Sequence, residues 1–450
     1  MKRTLILTLY IFALALVTAI AAPPDGFEEN WHYWRGPYAT GTASDNANPP
    51  TTWSETENVR WKVPIPGMGH STPIVWEDKI FIQTAIKGVA PEIKEEEKDD
   101  ANSFKGFFED LRGHGGSEGW FKFDLIAIDR NTGDILWQKT LKELAPHEGT
   151  HGDASFASNS PVTDGEYIYA YFGSRGLYCV DMMGEVKWEK NIGIMYKRNT
   201  FGEGSSPALY GNTLVILQDH EGDSFITALD KRTGDVIWKT YRDERTTWSS
   251  PIVVESNGKH QVITIGTNRV RSYDLASGDL LWDGAGLTAN CIPSPVAAGG
   301  YAYLMSGFRG SDLRAIHLAQ ATNDITDSEA VIWEYNRDTP YVPSPLLYKG
   351  IIYFLKGNTG ILSAFNVESG EAYYGPQRLQ GVSSVYASIV GASDRVYIAG
   401  RNGVVKVIQH GPEFKVLARN QLDESLNASP AIVGSELYLR GDQHLYCITE

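Results

Sequence analysis

The stretch AIDRNTGDILW, residues 127–137, decides how the rest of the chain is read. A short apolar run enters a turn built from Asp129, Asn131, Thr132, Gly133 and Asp134, then leaves toward Trp137. Asp and Asn fold their side chains back onto nearby backbone amides, and Gly tolerates positive φ, so this composition turns one strand into the next. The same unit returns as ALDKRTGDVIW at 228–238 and as SYDLASGDLLW at 272–282. In each, the aromatic stands four residues after the Gly. Gly184 to Trp188 and Gly370 to Tyr374 keep that interval, and Trp333 closes a longer, irregular version after Ile316.

A second motif alternates with the first: a small residue before Pro, a short apolar strand, a turn and another strand. It stands at Thr72-Pro73, Ser160-Pro161, Ser206-Pro207, Ser250-Pro251, Ser294-Pro295, Ser344-Pro345 and Ser429-Pro430, and Ser388-Ile389 keeps it without the Pro. From Ser160 onward the anchors are 46, 44, 44, 50, 44 and 41 residues apart. The first interval is 88, which one insertion over 86–120 explains. Four short strands in a period of about 40–45 residues mark a propeller blade. The spacing therefore predicts an all-β, eight-bladed propeller of four-stranded antiparallel blades over residues 58–450. Trp61, Trp137, Trp188, Trp238, Trp282, Trp333 and Tyr374 are expected to end outer strands and dock on the neighbouring blade, each indole N–H finding a backbone carbonyl.

The chain's last unit is one strand short. GLYCVDMMGEVKW, residues 176–188, runs through its turn to a tryptophan strand, whereas the matching HLYCITE, residues 444–450, stops. The missing strand is available at Asn58-Val59-Arg60-Trp61-Lys62-Val63, which has nothing before it to pair with. The N-terminal strand is thus predicted to complete the C-terminal blade, closing the ring and removing its exposed sheet edges. Cys179 and Cys447 then lie in blades that do not touch. With Cys291 they are expected to be buried, unpaired thiols.

A net charge of −15 argues against nucleic acid or an anionic membrane as partner. Lys2 and Arg3, the apolar run LILTLYIFALALVTAI and Ala19-Ile20-Ala21 form the pattern of a secretory signal over 1–21. No cysteine near that site offers a lipid anchor. The expectation is a secreted or periplasmic monomer without a membrane anchor after cleavage, with residues 22–57 packing on the propeller.

The AxDxxTGDxxW turn and SPxVxDGxxY strand pair resemble the repeats of pyrroloquinoline-quinone (PQQ) propellers. Trp31-His32-Tyr33-Trp34-Arg35-Gly36-Pro37, with Trp53-Ser54 and the Asn58–Val63 strand, is similar to an exported PQQ-like group known mainly from planctomycete-type genomes. The superfamily includes quinoprotein alcohol and glucose dehydrogenases and the propeller lipoprotein of the outer-membrane β-barrel assembly machinery. For the dehydrogenases the resemblance implies PQQ beneath a vicinal disulfide, with a calcium site of Glu, Asn and Asp and a further Asp as base. This sequence has no Cys-Cys pair, and that ligand set has no matching positions. Nor does it have the lipidated cysteine of the assembly lipoprotein.

His147-Glu148-Gly149-Thr150-His151 matches HExxH, whose zinc chemistry needs both His on one helical face. Pro146, Gly149 and Gly152 make this segment a loop instead. A looser metal role is left for His147, His151 and Asp153. Asp129 to Thr140 begins like a calcium loop, but Thr140 stands where the closing carboxylate is required. Arg440-Gly441-Asp442 is read as an ordinary turn.

Basic residues recur after the second strand of successive blades: Arg175, Arg269, Arg309, Lys356, Arg401 and Arg440. Links between blades share that face and carry Arg198, Asn199, Arg245, Trp248, Asn290, Tyr341, Tyr386 and Asn427. Together these could line one mouth of the channel and take a planar polyanion, an acidic glycan or another exported protein. The alternative is that they are turn residues paired with nearby acids. Within the insertion, Glu95–Asp100 is an acidic run. Ser103–Arg112 can form an amphipathic helix with Phe104, Phe107, Phe108 and Leu111 on one face, serving as a lid or as surface decoration. The function most consistent with these residues is non-catalytic binding through one face of the channel. A PQQ-dependent dehydrogenase with a divergent site is the alternative, and an assembly scaffold a further one.

Overall fold

The computed structural model describes residues 26–90 and 119–450. The signal segment, the first residues of the N-terminal extension, the acidic run and the Ser103–Arg112 helix lie outside the described residues.

Eight sheets surround one axis, each built from strands in the order inner to outer. Strands inside a blade stack are covered on both faces, so they read as unbroken apolar runs. Ile351–Leu355 (IIYFL) is buried at every position. Outer strands face solvent on one side and alternate, as Val186–Lys190 (VKWEK) does. The eighth blade consists of Ala431–Val433, Glu436–Arg440, His444–Ile448 and, at its outer edge, Val59–Pro64. Trp61 pairs with Cys447 and Lys62 with Tyr446 in antiparallel register. The ring closes as the sequence predicts. All three cysteines are buried and free.

The repeated turn has a second task besides reversing the chain. Asp129 Oδ1 accepts the amides of Asn131 and Thr132 at 2.8 and 2.9 Å, which tightens the turn. Gly133 then adopts φ +80°, and a Cβ there would sit 2.8 Å from the Trp61 ring. The Gly therefore supplies both the backbone conformation and the seat for the preceding blade's tryptophan. Gly184 receives Trp137, Gly234 receives Trp188, Gly278 receives Trp238 and Gly370 receives Trp333 in the same way. The indole N–H groups of Trp61, Trp137, Trp188, Trp238 and Trp333 donate across the blade boundary to the carbonyls of Arg130, Met182, Lys231, Leu275 and Val367.

Two aromatic positions differ from that expectation. Trp282 donates to Gln261 Oε1 of its own blade at 2.9 Å, because the fifth blade lacks the regular Gly turn. Its longer excursion instead sends Asn323–Asp324 to pair in parallel with Trp282 and Asp283, so the fourth blade has five strands rather than four. Tyr374 packs edge-on against Phe414 of the next blade, with its hydroxyl unbonded.

Residues 31–48 cross the ring on the side of its inner-strand hairpins. Trp31 exchanges backbone hydrogen bonds with Val75 of blade 1, and His32 accepts from Thr163 of blade 2. The Tyr33 hydroxyl donates to Pro251 of blade 4. Arg35, 1% exposed, donates to the carbonyls of Ile389 and Pro345 in blades 7 and 6. Thr40, Gly41 and Ala43 bond to Leu347 and Gly391, and Asn48 bonds to Gly434. This segment plugs one end of the channel.

Candidate functional site: the plugged central channel

The residues before each Pro of the second motif meet around the axis. The amide of Thr72 donates to Ser160 Oγ at 2.9 Å, and the pattern passes from Ser160 to Ser206, Ser250, Ser294, Ser344, Ser388 and Ser429 at 2.8–3.0 Å. Each link binds one inner strand to the next blade's. Seven links join eight residues, and among the described residues none is formed between Ser429 and Thr72. The repetition of Ser is visible in the sequence. Its closure into a ring of hydroxyls appears only once the blades are placed.

This ring surrounds a cavity of about 270 Å³. Trp34 of the plug lines one end. Phe201, Trp248, Tyr341 and Tyr386 line it on the side of the links between blades, together with His70, His151, Asp153 and Asn427. The channel is thus blind at one end and collared by aromatics at the other.

Carboxylates in the cavity are held by arginines. Asp153 accepts from Arg401 at 2.7 Å and from the Tyr386 hydroxyl at 3.1 Å, and Arg401 also donates to Asn427 at 2.9 Å while lying over the Tyr386 ring. The Arg401 hydrogen bond holds the Asp153 carboxyl below its ordinary range. Glu203 meets Arg175 at 2.9 Å, with both side chains buried, and accepts from Ser174. Burial, reinforced by the positive charges of Arg440 and Arg401, lowers His70 to about 4 and keeps it neutral.

The predicted cationic rim is not formed. Arg175 is consumed by Glu203. Arg269 points along the blade to Asp283 and Asp324, clipping the fifth blade's excursion to the fourth. Lys356 pairs with Asp338 at 2.6 Å, and Arg309 stands over the Phe308 ring. Arg440 is buried, donating to the Ser71 carbonyl and hydroxyl and to the Gln83 carbonyl. Asn290 is buried outside the cavity lining. Of the nine proposed ligand contacts only Trp248 and Tyr341 line the cavity, Trp248 with its indole N–H on the Gly202 carbonyl and Tyr341 stacked on Phe308. The acids that pair with Arg175, Arg269, Lys356 and Arg401 come from other turns and links, which periodicity alone does not align.

His147, Glu148 and His151 lie in a loop. His147 Nε2 bonds the Met195 carbonyl at 2.7 Å, while His151 turns to Phe201 and the cavity. The triad with Asp153 is therefore split, and among the described residues no three His, Cys, Asp or Glu side chains are grouped to hold a metal.

The residues present do not fit PQQ with calcium. Calcium takes six to eight oxygens including carboxylates. Among the described residues the carboxylates lining the cavity are Asp153 and Glu203, and both are bound to arginines. The three thiols are dispersed at positions 179, 291 and 447.

A family model described as outer membrane protein assembly factor BamB matches residues 122–372. No curated protein matches the chain. Among solved structures, a europium-containing methanol dehydrogenase is similar with a TM-score of 0.63 and 10% identity, covering 92% of this chain and 90% of that one. The computationally designed Ika8 protein gives 0.51 and 12%, covering 74% and 94%. BamB from Moraxella catarrhalis gives 0.49 and 13%, covering 72% and 91%. At these identities the structural likenesses show the fold alone.

Proposed function

The chain belongs to the PQQ-repeat propeller family whose model is described as outer membrane protein assembly factor BamB, and from that premise we propose that it is an exported, non-catalytic binding protein. Its ligand or protein partner enters the mouth of the central channel. The observation carrying this reading is the shape of that channel: residues 31–48 stop one end, and aromatic side chains collar the other. Aromatic collars supply large contact area at small entropic cost, which suits recognition.

The side chains support binding over turnover. A general base needs a free carboxylate or imidazole poised near the working pH. Asp153 is fixed by Arg401 and Tyr386, Glu203 by Arg175, His70 is neutral with a pKa far below that range, and His151 accepts the Asp153 amide at Nδ1 at 3.1 Å. Likeness to a methanol dehydrogenase concerns the fold, and the quinone-and-calcium ligand set is not matched. The family description makes an exported protein the partner class to test first.

The test is an oxidation assay. Purified protein given PQQ and Ca²⁺ should not reduce an artificial electron acceptor with alcohols or aldoses as donors. Sustained quinone-dependent turnover would replace the binding reading with the dehydrogenase one.

A further inference from the structure

We propose that the channel's ring of hydroxyls is an oxyanion site, which takes a small carboxylate or phosphate group on the propeller axis. The inference rests on the reading of the channel as the binding face and names the chemistry bound there.

Hydrogen-bond accounting carries the argument. A hydroxyl has one donor proton and two acceptor positions. Seven of the ring's oxygens accept an amide from the preceding blade, yet none of the eight hydroxyls donates to any atom of the described residues. All eight residues are at most 6% exposed, and all line the cavity. Donors crowded around one axis and unspent on the protein favour an acceptor at the ring's centre. The cavity's own carboxylates cannot answer these donors, since Arg401 and Arg175 hold them.

Charge selects an anion over a neutral polyol. Arg35 donates to the carbonyls of Ile389 and Pro345, the residues that follow ring members Ser388 and Ser344. Arg440 donates to Ser71, next to Thr72, at the joint where the ring of amide links is open. These guanidinium groups are 1% and 3% exposed, and neither forms an ion pair with a carboxylate among the described residues. Burial lowers both to about 9, which leaves them charged at neutral pH. Two buried cations flanking a ring of unanswered donors create a field that a sugar would not satisfy and an oxyanion would.

The experiment is calorimetric titration of the intact mature protein with inorganic phosphate, acetate and sorbitol at constant ionic strength. We expect saturable one-to-one binding of phosphate or acetate and none of sorbitol, the preferred anion telling phosphate from carboxylate. Ser250→Ala and Ser344→Ala, each of which removes one hydroxyl of the ring, should each weaken binding about tenfold. Absence of saturable binding by either anion, equal binding of sorbitol, or unchanged affinity in a folded Ser250→Ala or Ser344→Ala would overturn the site. If anions fail to bind while Phe201→Ala and Tyr386→Ala still abolish capture of an exported partner, the mouth remains the binding face and only the oxyanion assignment falls.

Discussion

Trp61 faces Cys447 across an antiparallel pair and rests on Gly133, so one side chain near the start of the ring touches its last blade and its first. The closing strand is consequently fastened by backbone pairing on one side and by an aromatic seat on the other.

Trp61→Ala should cost about 3–5 kcal/mol of stability, the usual loss for a large aromatic. Gly133→Ala should cost at least about 1 kcal/mol through its positive φ and its contact with the indole. Because the clash needs Trp61, the double variant should lose less than the sum of the two. Urea unfolding of the three variants measures this, and strict additivity would contradict the described contact.

The buried pair Asp219–Arg242 should be intolerant of halving. Arg242 Nε donates to Asp219 Oδ1 at 2.8 Å and Nη2 to Oδ2 at 3.1 Å, with both side chains wholly buried. Asp219→Asn leaves a guanidinium without its counter-charge and should cost about 3–5 kcal/mol. A melting temperature within a degree of the parent's would refute the geometry.

The fold's stability should decline in mild acid. Burial holds His32 at about 3 and His70 at about 4, both below the ordinary imidazole value of 6.5. Between pH 6.5 and 4 the unfolded chain binds protons that the native chain refuses, so unfolding becomes easier as pH falls through that window. For His70 alone the loss is on the order of 3 kcal/mol. His70→Gln should flatten the stability profile between pH 6.5 and 4, which denaturant midpoints measured across that window would reveal. An unchanged slope would show that His70 titrates normally.

Arg269→Ala should leave binding at the channel unchanged. Its partners are Asp283 and Asp324, and the pair is partly exposed, so the stability loss should stay below about 1 kcal/mol. The local effect is release of Asn323–Asp324 from the fourth blade, visible as faster amide exchange at Ile325, whose N–H bonds the Asp283 carbonyl. Reduced ligand affinity in this variant would return Arg269 to the site.

These cases show what the sequence carries and what it omits. Gly133, Trp137 and their counterparts repeat in register because each blade solves the same packing problem, so blade number, turn chemistry and ring closure could be read directly. The Ser ring was half legible: Ser before Pro marked each inner strand, but its hydrogen bonds exist only when eight strands surround an axis. Arg401 and Asp153 were not legible as a pair, being 248 residues apart in different blades. Electrostatic pairing has no period, and the same is true of the plug, where Arg35 finds two carbonyls more than 300 residues away.

Circular closure also acts as a test of chain length. Val59–Pro64 is made early, yet its pairing partner His444–Ile448 is made only after the seven intervening blades. Any product cut short before that point keeps a dangling hydrophobic strand, lacks the blade that the plug reaches through Asn48 and Gly434, and offers proteases an open end. The architecture thereby lets quality control tell a closed ring from an open one by whether these two strands have met.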